Sequence, residues 1–253
     1  MRLILAGVNV LMQYHHPVKD LVLAKDKIIV ALDVASAKEA RELVRRLGGR
    51  LEWFKVGLQL FTAAGPAVVE EIKKAGAKVF LDLKFHDIPN TVRQAVRSAC
   101  AMGADMLTIH LGGGSEMCRA AAEGRAESST LLLGVTVLTS QNDQTLAEVG
   151  TKANVTEQVL LLATLAKATG ITGLIASPHE IGSLRDRFGP FFTIVTPGVR
   201  PSGADRGDQK RVMTPSEALA AGSDYLVIGR SITGAEDPLT ALDGIIEDLE
   251  AAR

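Results

Sequence analysis

Cysteine is scarce: the 253 residues include only Cys100 and Cys118. They fall in different predicted helices without metal-ligand spacing, so neither a disulfide framework nor a cysteine-held metal is expected, and a reduced, cytoplasmic protein is the natural reading. Aromatic residues make up 4% of the chain and the formal net charge is −1. Without a basic stripe interleaved with aromatics, nucleic acid is not the expected partner. No apolar run is long enough to cross a bilayer, so no membrane partner is expected. The short apolar run Leu3 to Met12 leads into polar Gln13 to Asp20 without a small-x-small cleavage site. Residues 1–26 therefore read as an N-terminal extension of unassigned role rather than a signal sequence.

What the chain does have is apolar residues, 47% of the total. The chain can bury a large core, its length suits one large α/β domain or two small ones, and no stretch reads as a linker or repeat. From Lys27 onward, near-continuous apolar strands alternate with helices about eight times. The predicted strands are Lys27–Val34, Trp53–Leu60, one that opens the stretch Val79–Val92, Met106–Leu111, Leu131–Leu138, Gly173–Ala176, Phe191–Val195 and Tyr225–Ile228. Strands buried on both faces imply a parallel sheet covered by helices. A single α/β domain with a closed (β/α)8 TIM barrel over residues 27–253 is the economical fold; a doubly wound open sheet is the alternative. Asp33, Asp82, Lys84, Asp87, Thr139, Ser177, Arg200 and Arg230 all fall near C-terminal strand ends, the face on which barrel enzymes build their sites.

The stretch Val79 to Val92, V-F-L-D-L-K-F-H-D-I-P-N-T-V, concentrates the chemistry. Asp82 and Lys84 share one face of an extended strand, opposite Val79, Leu81 and Leu83. Charges on a buried strand are costly unless paired or used. Lys55, Asp82, Lys84 and Asp87 could alternate as cation and anion at a barrel mouth. Two unit charges about 4 Å apart interact by roughly 4 kcal/mol at an effective dielectric near 20. Such an array is preorganised for charge that develops in a reaction, or it is a structural ion-pair network. Thr196 to Arg211 is a long Gly/Pro-rich polar loop in which Arg200 and Gln209, joined by Arg230 after Gly229, could grip a phosphate. His86 and His110 lack further ligands at a metal spacing, so no metal is expected. Gly112 to Gly114 reads as a tight strand-helix loop without the dinucleotide fingerprint.

These residues strongly resemble the orotidine 5′-phosphate decarboxylase family over nearly all of Lys27 to Ile246. The resemblance rests on A-L-D at Ala31 to Asp33, K-V-G at Lys55 to Gly57, D-L-K-F-H-D-I-P-N-T at Asp82 to Thr91, and L-T-S at Leu138 to Ser140. It continues with P-G-V-R at Pro197 to Arg200, G-D-Q at Gly207 to Gln209, and V-I-G-R at Val227 to Arg230. It implies decarboxylation of orotidine 5′-phosphate (OMP) to UMP without cofactor or metal, the last step of pyrimidine nucleotide synthesis. Lys84 would protonate C6 within the Lys55/Asp82/Lys84/Asp87 array, with Asp82 beside the departing carboxylate and Asp33 and Lys55 on the ribose. Thr139 and Ser140 would meet the base, and Arg200, Gln209, Gly229 and Arg230 the phosphate, with Ile88 and Pro197 among the substrate contacts. Asp87 and Thr91 would reach the neighbouring subunit's site, which implies a homodimer. Two rivals remain: a metal-dependent sister enzyme sharing D-x-K-x-x-D, and a non-catalytic nucleotide-binding barrel.

Overall fold

The apolar strands are short and buried on both faces, and this forces them into the centre of the molecule. The computed structural model describes residues 23–201 and 213–252. In chain order the elements are β1 (Ile28–Ala31), α1 (Ala37–Leu47), β2 (Trp53–Gly57), α2 (Leu58–Ala64), α3 (Ala67–Lys74), β3 (Lys78–Phe85), α4 (Pro89–Ala101), β4 (Met106–His110) and α5 (Gly114–Arg125). They continue as β5 (Leu131–Val135), α6 (Asp143–Glu148), α7 (Val155–Ala168), β6 (Gly173–Ile175), α8 (Ile181–Phe188), β7 (Thr193–Thr196), α9 (Pro215–Ala220), β8 (Tyr225–Ile228), α10 (Arg230–Thr233) and α11 (Pro238–Ala251). Each strand pairs in parallel with the next, and β8 closes on β1, giving the expected closed barrel of eight strands among the described residues.

Alternation sorts the core into two layers. Ile29, Ala31, Trp53, Phe80, Met106, Leu133, Val195 and Val227 fill the barrel interior. Their sequence neighbours, among them Ile28, Val30, Phe54, Val79 and Leu81, point outward into the helical layer. At the base of the barrel one brace occurs twice. The Asp105 carboxylate accepts from Val79 N and Lys73 Nζ at 2.7 and 2.8 Å, and that of Asp224 accepts from Ile194 N and Arg185 Nη2, each at 2.7 Å. Gly103–Leu107 (G-A-D-M-L) and Gly222–Leu226 (G-S-D-Y-L) are thus a short structural repeat that inspection for long repeats passes over.

Element boundaries differ from the sequence expectation where local hydrogen bonding decides them. The strand expected to reach Leu60 stops at Gly57, and Leu58–Ala64 turns helical to bury Leu60. The strand expected to reach Leu138 stops at Val135; next along the chain, the Thr136 hydroxyl donates to Ile175 O at 2.9 Å. Helices α6 and α9 were not anticipated, although Asn142 and Thr214 each accept from the backbone N–H three residues on, as N-caps do. The single final helix that the sequence predicts after Gly229-Arg230, running through Ala252, is two, since the Asp237 side chain caps a new start at Pro238. Ala24, assigned by sequence to the extension, is fully buried in a 3-10 turn over Ala24–Lys27. Residues 1–22 lie outside the described residues.

Candidate active site

The decisive local feature is a break in strand β3. Leu81 stands opposite Leu107 on β4, but the next aligned pair is Phe85 with Ile109. Asp82, Leu83 and Lys84 therefore face the single residue Thr108. Lys84 adopts φ +51°, left-handed backbone that a non-glycine residue rarely takes. Bulges of this kind re-aim side chains next to active sites. Here the displaced Lys84 N–H donates to the Thr108 hydroxyl at 2.8 Å in place of a ladder carbonyl.

Around this bulge a chain of charges forms across three strands and their loops. Lys84 Nζ donates to Asp82 Oδ1 at 2.8 Å, and the Thr108 hydroxyl donates to the same oxygen at 3.0 Å. Lys55 Nζ lies 3.6 Å from Asp82 Oδ2 and 3.1 Å from Asp33 Oδ1. Burial pushes the Asp82 carboxyl up, but Lys55, Lys84 and the hydrogen bonds from Lys84 and Thr108 outweigh it, and the net shift is downward. Asp82 is thereby held as a carboxylate. Two glycines keep the array's other end open. A Cβ on Gly57 would come within 3.0 Å of Lys55 Nζ, and one on Gly229 within 3.4 Å of Asp33 Oδ2.

These side chains line one wall of a cavity of about 500 Å³ at the C-terminal mouth of the barrel. It is also lined by Pro197, Gly198, Arg200, Gly229 and Arg230 from the ends of β7 and β8, and by Val137, Leu138 and Thr139 from the segment after β5. Gly198 sits at φ +79°, a turn that needs glycine. The arrangement is a small-molecule site lined by a charge array and by two arginines.

A model of the Orotidine 5'-phosphate decarboxylase / HUMPS family matches residues 26–245. The chain belongs to this family. Among its relatives, an orotidine 5'-phosphate decarboxylase of Syntrophotalea carbinolica is 53% identical, covering 92% of this chain and 98% of that protein. One of Moorella thermoacetica is 52% identical, with coverage of 91% and 94%. The crystal structure of orotidine 5'-phosphate decarboxylase from Lactobacillus acidophilus superposes with a TM-score of 0.78 at 37% identity, covering 88% of this chain and 99% of that one.

Of the residues expected from the family motifs, Asp33, Lys55, Asp82, Lys84, Thr139, Pro197, Arg200, Gly229 and Arg230 meet at the cavity. Asp87, Ile88, Thr91 and Ser140 do not line it and are exposed, Ile88 by 68%. Asp87 Oδ1 instead accepts from Ile88 N at 2.6 Å, at the entry to α4. Gln209 and most of the expected phosphate loop lie outside the described residues. Sequence reading missed Gln59, hidden because its segment read as strand, and Thr108, hidden because threonine is an ordinary strand former. A signal for Thr108 did exist: it occupies the inward register between Met106 and His110, beside the motif strand. His86 and His110 pair with ring centroids 5.4 Å apart. Burial, then His86 and Lys84, push the His110 imidazole's pKa down, which favours its neutral form. Among the described residues, no three His, Cys, Asp or Glu side chains gather as a metal-binding group.

Proposed function

We propose that the protein decarboxylates OMP to UMP and carbon dioxide, with the chemistry at Lys84 and no cofactor. The observation that carries this reading is the Asp33–Lys55–Asp82–Lys84 chain of charges lining the same cavity as Arg200 and Arg230. The substrate is itself bipolar, with a phosphate at one end and a carboxylate on the reacting carbon at the other. In this reading the arginines take the phosphate and the array takes the ribose hydroxyls and the reacting carbon. As the C6–carboxylate bond breaks, its electron pair stays on C6 and the Lys84 ammonium gives that carbon a proton. No electron sink is adjacent to C6, so the barrier falls through charge already in place and through binding energy from the remote phosphate. Asp82 fixes the ammonium and adds negative charge beside the departing carboxylate.

Asp87, Ile88 and Thr91 serve the neighbouring subunit's cavity in a homodimer. Their exposure beside their own cavity supports this, as do the exposed apolar side chains of Leu58 and Ile88 at the same end of the barrel. Cytoplasmic placement is supported by two free cysteines. Among the described residues no helix is long and apolar enough to cross a membrane.

Incubation of EDTA-treated protein with OMP, following UMP, tests the activity. Full turnover without added metal is expected; turnover that returns only with a divalent cation would favour the metal-dependent sister chemistry. Arg230→Ala tests the phosphate end. Losing a charge-assisted contact of about 1.5–3 kcal/mol should raise KM for OMP about 10- to 100-fold while the melting temperature stays near that of the parent. An unchanged KM would remove Arg230 from the phosphate site.

A further inference from the structure

We propose that Thr108 is a positioning residue for the decarboxylation, its hydroxyl bridging the Lys84 backbone to the Asp82 carboxylate and so fixing the geometry of the reacting pair. The inference rests on the decarboxylase reading for its kinetic consequence, but its structural basis is independent of substrate. Thr108 is fully buried and stands alone against the three-residue bulge Asp82–Lys84. In a regular ladder the Lys84 N–H would find a strand carbonyl; here it donates to Thr108 Oγ1 at 2.8 Å. An amide N–H can only donate and a carboxylate can only accept, so the hydroxyl must accept from Lys84 and donate to Asp82 Oδ1, 3.0 Å away. One hydroxyl thus answers both faults of the bulge. It satisfies a displaced backbone donor, which would otherwise favour return of Lys84 to ordinary extended backbone, and it adds a donor to a buried carboxylate.

Valine at this position keeps the branched shape and loses both hydrogen bonds, whereas serine keeps the hydroxyl and loses only a methyl group. Thr108→Val should lower kcat for OMP about 10- to 100-fold, the equivalent of one buried hydrogen bond to a charged group, with KM within about threefold of the parent. Thr108→Ser should keep kcat within about threefold. Carbon-13 NMR of the carboxylates in the unliganded full-length protein supplies a readout that loss of packing does not move. The Asp82 titration should shift to higher pH in Thr108→Val and stay in place in Thr108→Ser. If the valine variant fails to fold, Thr108→Ala is compared with serine in the same two measurements. Equal kinetic loss in the serine and valine variants, or an unmoved Asp82 titration, would overturn the proposal. A parent protein that does not turn over OMP would refute the decarboxylase reading alone, because the Asp82 titration would still decide the role of Thr108.

Discussion

Replacing Lys84 with alanine should lower carbon dioxide release from OMP by about 10⁴-fold or more, since it removes a general acid and a fixed positive charge at once. The expected magnitude comes from position as much as from charge. The Lys84 ammonium lies at the cavity wall, 2.8 Å from a carboxylate that burial and two lysines hold in place. Lys55 cannot substitute, because its own Nζ is drawn toward Asp33 at 3.1 Å. The fold should survive: Lys84 is partly exposed in the cavity, and alanine keeps the same Cβ at φ +51°, so the substitution adds no new backbone strain there. Steady-state assay of UMP, with circular dichroism to confirm folding, checks this. Residual turnover within about 100-fold of the parent would reassign the proton donor.

Barrel and charge array were legible in the sequence for the same reason: both depend on short-period patterns. Apolar strands alternating with helices leave little choice but a parallel sheet covered on both faces, and closure follows from eight similar units. Asp82 and Lys84 stood out because charge on an apolar strand is costly, and Lys55 because it interrupts its strand in the same way. Features set by register were not legible. The bulge opposite Thr108 depends on how β3 and β4 align, which no property of β3 alone encodes. Ser140 neighbours Thr139 in the chain, yet the turn after β5 puts Thr139 at the cavity and Ser140 in solvent. Helices α6 and α9 are short, and their capping side chains rather than any apolar periodicity mark them.

Asp82→Asn separates the two things this carboxylate does. Asparagine is nearly isosteric and can still accept from Thr108, but it leaves the Lys84 and Lys55 ammonium groups without the anion between them. The Asp33 carboxylate remains with Lys55, so the uncompensated charge falls mainly on Lys84. Removing one member of a buried pair can cost 3–5 kcal/mol, but Lys84 can turn toward cavity water, so a loss of about 1–3 kcal/mol is expected. The sign of its pH dependence follows from the depressed Asp82 pKa. A carboxylate stabilised in the folded state contributes above its unfolded value, near about 4, and loses that contribution as pH falls through the lower folded value. The gap in melting temperature between parent and variant should therefore be widest near neutrality and close below about pH 4. Activity should fall about 10²- to 10³-fold at neutral pH, the scale of losing one preorganised electrostatic contact. A variant that loses stability but keeps kcat would show that Asp82 only holds the fold of the bulge. One that loses kcat while its melting temperature stays level would show instead that the carboxylate is poised for the reaction at no net cost to the barrel.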